Sequence, residues 1–299
     1  MARLVNHLPG RLPDFVRLVR LDKPIGIYLL LWPPLWALWI AGEGRPDPLV
    51  VTVFVLGVIL MRSAGCAIND FADRFFDGHV TRTKARMIPA GRVAPREAVI
   101  TFLVLSLASF ALVLLLNWLT IGLSFIGLAL AALYPYAKRH TYLPQVVLGA
   151  AFGWAVPMAF AAQTGSLPPL AWLMYVIAIV WATAYDTMYA MVDRKDDLKI
   201  GIKSTAILFG ELDRLIVGIL QFIVLAGLFM VGLQVEMGPL YYAGLTVAAG
   251  MAGYEQWLIR KREPEACFRA FLHNNWLGMV VFIGVFLDYW VRLASRPVI

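Results

Sequence analysis

The run from Ile25 to Ala41 carries no charged side chain and holds Trp32, Trp36 and Trp39. In water such a stretch has no solvated face. In a bilayer it is a membrane span, since crossing the hydrocarbon takes roughly 20 apolar residues. Comparable runs recur along the chain. Of the 299 residues 61% are hydrophobic and 15% charged, against about 45–50% and about 25% in a soluble domain. The chain therefore reads as an integral membrane protein, all-α, with one transmembrane domain over residues 1–299. We expect nine spans, at about 24–42, 49–68, 97–117, 119–137, 142–163, 169–189, 212–233, 238–258 and 274–293, packed around a central cavity. The third and fourth meet tightly at Asn117 as a helical hairpin. Pro157 and Pro135 should kink or end the spans that contain them. Cys66 and Cys267 form no spacing motif and read as small apolar packing residues.

Charge sets the orientation. With the N-terminus inside, 22 of the 26 Lys and Arg fall on the cytoplasmic side and three outside, while Arg62 lies within the second span. That asymmetry is the positive-inside pattern. Residues 1–23 are basic and have no apolar signal-peptide core, so they read as a retained cytoplasmic arm along the membrane surface. The shortness of that arm favours a bacterial inner membrane over a mitochondrial one.

Two acidic stretches fall on the cytoplasmic face as cap loops. In the first, Asn69, Asp73 and Asp77 are four residues apart. In the second, Tyr189, Asp193 and Asp197 are four apart. Side chains at i and i+4 share a helix face, and like charges there destabilise it. A divalent cation removes that cost. Mg²⁺ takes oxygen ligands and binds through one or two carboxylates plus substrate phosphates. Arg82, Lys84 and Arg86 follow the first row, and Lys199 and Lys203 the second. Guanidinium forks match phosphate, so acids beside bases point to a metal-bridged diphosphate. For Arg92, Arg96, Arg194 and Arg214 a plain topological charge is the better reading. The helix-to-acidic-loop unit at spans two and three recurs at six and seven, as in a weak internal repeat. The rest of a diphosphate substrate can be lipid, held between helices. Tyr134, Tyr185, Tyr189 and Trp181 could shield an allylic cation, although core packing is the commoner role of any one aromatic.

Asn69-x-x-x-Asp73-x-x-x-Asp77 and Asp186-x-x-Tyr189-Ala190-x-x-Asp193-x-x-Asp196-Asp197 resemble the two signatures of the UbiA superfamily of intramembrane prenyltransferases. Arg20-Leu21-Asp22-Lys23-Pro24-Ile25-Gly26 and Tyr134-Pro135-Tyr136-Ala137-Lys138-Arg139 resemble two further segments. Gly201-Ile202-Lys203-Ser204-Thr205, with the preceding Tyr-Ala, resembles the 4-hydroxybenzoate polyprenyltransferase branch. Met87 departs from the family's usual Pro, and Lys195 from a position often acidic. The resemblance implies that Asn69, Asp73 and Asp77 hold one Mg²⁺ and that Asp193 and Asp197 hold the other. It further implies that Arg86, Lys138, Arg139 and Lys203 contact diphosphate or position the aromatic acid. Asp196 would orient its neighbours, and Arg20 and Lys23 would lie nearby.

The implied activity is transfer of a polyprenyl group from its diphosphate to the ring of 4-hydroxybenzoate, ortho to the hydroxyl, in ubiquinone biosynthesis. Its partners would be those two substrates and the lipid bilayer, with no nucleic acid. One rival is a relative with another acceptor, such as a dihydroxynaphthoate, homogentisate, chlorophyllide or haem; the Gly-Ile-Lys-Ser-Thr tail argues against it. A second is a carrier or transporter of anionic lipid, which needs polar residues along a through-path. The spans are nearly charge-free in the middle, which disfavours it.

Overall fold

The computed structural model describes residues 9–75, 83 and 85–295. Among these the secondary structure is helical throughout, without a strand. A short helix, α1 (Leu12–Leu18), precedes α2 (Ile25–Ala41), α3 (Pro48–Asp73), α4 (Pro95–Val113), α5 (Trp118–His140), α6 (Pro144–Gly153) and α7 (Ala155–Thr164). The second half holds α8 (Pro169–Ile200), the short α9 (Thr205–Phe209), α10 (Asp213–Gln234), α11 (Pro239–Leu258) and α12 (Pro264–Ala294). Helices stand at all nine expected places. Seven, α6–α7 counted as one and α9–α10 as one, are long and apolar enough to cross a membrane. The others are α2, apolar but only 17 residues long, and α11, which carries Glu255 and Gln256.

Proline punctuates the chain. Helices α3, α4, α6, α8, α11 and α12 each begin on proline, where its missing N–H costs nothing. Asp47 caps α3, accepting from Leu49 N at 2.7 Å. Asn117 makes the α4–α5 hairpin: its Oδ1 accepts from Thr120 N at 3.0 Å and its Nδ2 donates to the Ala161 carbonyl at 2.6 Å. Pro157 breaks its span as expected, but four residues upstream. With no N–H at 157 the Gly153 carbonyl loses its helical donor, and the helix divides at Gly153–Trp154. Pro135 behaves otherwise: α5 runs past it to His140, carrying Lys138 and Arg139 on its last turn. A single lost bond is tolerated in a helix supported by neighbours.

Packing divides the molecule. The second half, with α2 and α7, is a tight core around Trp36 and Trp181, whose rings lie 5.3 Å apart. Trp181 Nε1 donates to Asn274 Oδ1 at 3.0 Å. At Gly149 a Cβ would stand 2.8 Å from the Ile179 carbonyl oxygen, so α6 meets α8 backbone to backbone. The first half is looser and encloses the cavity.

Candidate active site

A single stripe of α3 carries the change from apolar to ionic. Val58, Arg62, Gly65, Asn69 and Asp73 are spaced three or four apart and so share one face. Over about 22 Å of helix the stripe passes from cavity lining to a cation and then to acids. At its end Asp70 and Asp73 are buried. Asn69 Nδ2 donates to Asp73 Oδ2 at 3.1 Å, and Lys138 Nζ lies 2.5 Å from that oxygen. Arg86 sits 3.2 Å from Asp70 Oδ1 and 4.0 Å from Asp73 Oδ2. Arg139 donates to the Ala72 carbonyl. The other oxygen of Asp73, Oδ1, is buried without a hydrogen-bond partner among the described residues.

Arg20 reaches the same cluster from the turn before α2. Its Nη2 is 2.8 Å from Asp70 Oδ1, and its backbone is left-handed, with φ +58°. Glycine is the usual occupant of that conformation; here the side chain is what the position supplies. Burial works against the Arg20 charge, but the Asp70 carboxylate, together with Cys66 and Tyr189, outweighs it and raises the guanidinium above its ordinary pKa. Asp70 was not among the expected ligands. Its role is to gather Arg20 and Arg86 beside Asp73. Lys23, by contrast, is exposed and forms no ion pair among the described residues. Asp77, Arg82 and Lys84 lie outside the described residues.

The second row lies wholly on α8, whose 32 residues run past the bilayer. Asp193 and Asp197 are partly buried there and engaged in contacts of their own. Asp196 pairs with Lys199 at 3.4 Å. The helix ends at Gly201, with φ +71°, and the chain turns back onto the end of α5. Lys203 N donates to the Lys138 carbonyl at 3.2 Å, and Lys203 Nζ to the His140 carbonyl at 3.4 Å. The Tyr189 ring lies 4.7 Å from that of Phe271, tilted by 37°, and is close enough to Arg20 to act on its charge. Tyr185 and Trp181 are buried in the core.

The cavity, about 560 Å³, is lined by α2 to α7. Its walls are apolar, with Val58, Phe102, Phe110, Phe152 and Met158 among them. Leu103, Leu107 and Phe125 also line it and are exposed on the outer surface, so it opens sideways between α4 and α5. Tyr134 lines the ionic end, its hydroxyl 3.4 Å from the Gly65 carbonyl. Arg62 lies there too. Its Nη1 donates to Cys66 Sγ at 2.8 Å and its guanidinium is 5.5 Å from the Phe152 ring centre. It has no carboxylate partner among the described residues, and its Nε is buried without a hydrogen bond. The sequence signal was present: a cation inside a span is expensive and marks a functional position. Gly26 makes room for it, because a Cβ there would stand 2.3 Å from Arg62 Nε.

Residues 30–279 match the family model described as the UbiA prenyltransferase family. The chain belongs to that family. It is 62% identical over 95% of its length to the 4-hydroxybenzoate octaprenyltransferase of Methylococcus capsulatus, covering 97% of that protein. It is 61% identical over 98% of its length to the 4-hydroxybenzoate octaprenyltransferase of Ectopseudomonas mendocina, covering 99% of it. The fold is that of a UbiA homologue from Aeropyrum pernix, with a TM-score of 0.77 at 24% identity, over 88% of this chain and 97% of that one. It is also that of a UbiA homologue from Archaeoglobus fulgidus solved with GPP and Mg²⁺, with a TM-score of 0.68 at 16% identity, over 92% and 99%.

Within this UbiA chain the donor set suits a magnesium ion. Among the described residues no three His, Cys, Asp or Glu converge. Magnesium asks for less, one or two carboxylates completed by water and substrate phosphate. The buried Oδ1 of Asp73, without a hydrogen-bond partner among the described residues, fits such a ligand. Asn69 lies beside it, and Lys138, Arg86 and Arg20 place positive charge around Asp70 and Asp73.

Proposed function

We propose that this chain transfers a polyprenyl group from polyprenyl diphosphate to the ring of 4-hydroxybenzoate, ortho to the hydroxyl, as a step in ubiquinone biosynthesis. The observation that carries the reading is the α3 stripe: a greasy cavity, a lone cation and an acid-base cluster in that order. The diphosphate lies at the acid-base end, where Lys138, Arg139, Arg86 and Lys203 are gathered. Asn69, Asp73 and Asp77 hold one Mg²⁺, and Asp193 and Asp197 a second. Bound magnesium supplies positive charge to the leaving diphosphate. The apolar cavity takes the prenyl tail and keeps water from the reacting carbon.

Arg62 holds the carboxylate of the aromatic acid. It is a cation on the cavity wall without a counter-ion among the described residues, and a carboxylate supplies one. It sits about 10 Å of helix rise below Asn69, which leaves room for one small ring between the two ends. Tyr134 and Tyr189 present aromatic surface near that space. The ends of α3, α5 and α8 meet, so both rows face one side of the membrane. The Lys and Arg distribution makes that side cytoplasmic, in a multi-pass protein of the bacterial inner membrane.

The test uses membranes carrying the chain, labelled 4-hydroxybenzoate, and a panel of prenyl diphosphates with Mg²⁺ or chelator. Labelled prenyl-4-hydroxybenzoate is the expected product. Transfer to a dihydroxynaphthoate or homogentisate in its place would reassign the acceptor.

A further inference from the structure

Asp213, the first residue of α10, is fully buried. Two arginines from distant parts of the chain converge on it. Arg194 Nη1 lies 3.1 Å from Oδ2. Arg262 Nε donates to Oδ1 at 2.9 Å and to Oδ2 at 3.1 Å. The backbone N–H of Arg214 adds a bond of 2.6 Å to Oδ1. Arg262 occupies the turn between α11 and α12 in the left-handed region, φ +55°. A long side chain at a position suited to glycine carries a backbone cost. What it provides is the carboxylate contact, with a second bond from Nη2 to the Glu211 carbonyl at 2.7 Å.

Arg194 itself stands inside the second acidic row, next to Asp193. On the helix Asp197 is three residues on, within ordinary reach of an arginine at i. The pairing the structure records is with Asp213, on another helix. A buried carboxylate held by two arginines binds each more strongly than a carboxylate at the water face would. We propose that Asp213 is a positioning residue for the reaction: it draws Arg194 off the face of α8 that carries Asp193 and Asp197, so that this cation does not compete with metal for their oxygens. Arg262 completes the anchor and ties the end of α8 to the α11–α12 turn. The inference rests on the reading of Asp193 and Asp197 as metal ligands.

The test is direct binding of Mn²⁺, followed by electron paramagnetic resonance, to the purified full-length chain in detergent without substrates. Asp213→Asn removes the draw on Arg194 and is expected to weaken Mn²⁺ binding about 10–100-fold, the range for residues behind a metal ligand. The double variant Asp213→Asn, Arg194→Gln is expected to recover most of that loss, which a merely structural defect would not do. Arg194→Gln alone leaves Asp213 paired to Arg262, so it folds, and it should bind Mn²⁺ at least as tightly as the parent. Unchanged binding in Asp213→Asn, no recovery in the double variant, or a tenfold loss in Arg194→Gln would each overturn the proposal. A parent chain that binds no Mn²⁺ would instead overturn the metal-site reading beneath it.

Discussion

Lys138 Nζ lies 2.5 Å from Asp73 Oδ2, and this pair ties the end of α3 to the end of α5. The side chain of Lys138 faces the first row, while its carbonyl accepts from Lys203, in the tail of the second signature. Removing the ammonium leaves a buried carboxylate without its nearest cation, which costs about 3–5 kcal/mol when nothing replaces it. Lys138→Met should therefore lower the melting temperature measured without metal. Adding Mg²⁺ should stabilise this variant more than the parent, because the ion takes over the lost charge. Equal shifts in both proteins would refute the pairing as an energetic fact.

Asp73→Ala and Asp193→Ala should each reduce turnover by at least about 10²–10³-fold, the cost of losing one well-placed group at a developing charge. Membrane insertion should be unaffected, since the spans enter by their apolar runs. Arg96→Ala, an exposed charge at the start of α4, should keep most activity. Product assays and immunodetection of the membrane fraction check all three together. Comparable activity in Asp73→Ala and Arg96→Ala would refute the metal-site reading of the first row.

Metal removal gives a separate expectation. Excess EDTA should abolish prenyl transfer, and Mg²⁺ should restore it. Among the described residues the buried Asp73 Oδ1 has no hydrogen-bond partner, and an oxygen of that kind is one a magnesium ion takes. Full transfer under chelation would contradict the metal requirement.

Gly26 and Arg62 form a steric pair, and this yields a test of acceptor binding. The atoms that a Cβ at position 26 would meet are the far end of the Arg62 side chain, which can move aside. Gly26→Ala should therefore leave the fold intact and displace the guanidinium. We expect KM for 4-hydroxybenzoate to rise about tenfold or more, with KM for the prenyl diphosphate little changed. Arg62→Met should do the same more strongly, since a charged hydrogen-bonding partner is worth about 1.5–3 kcal/mol. Steady-state kinetics with each substrate varied in turn will decide.

Orientation is open to labelling because both native cysteines are buried and unpaired. A cysteine in place of Lys199, whose side chain is 75% exposed, should resist an impermeant maleimide applied outside intact cells and react once the membrane is opened. Labelling of intact cells would reverse the topology.

The sequence by itself determined the medium, the helices and the chemistry. Uncharged runs near bilayer length can only be helices in lipid, because no water is there to satisfy backbone groups. Proline at helix starts, Asn117 at the hairpin and the i+4 spacing of the acids are local signals, legible from a few residues. Tertiary structure decided which charges meet. Asp70, outside the i+4 row, is the anchor for Arg20 and Arg86. Lys23, one turn from Arg20, stayed in solvent. Arg62 was visible as a charge in a span, but only packing showed that no carboxylate among the described residues answers it. Arg194 read as a topological charge, and its burial partner Asp213 comes from the next long helix. Ion pairs between residues tens to hundreds of positions apart depend on how helices cross, and that is set by close approaches such as Gly149 on Ile179. One-dimensional spacing carries helix faces; it does not carry which face is turned to which neighbour.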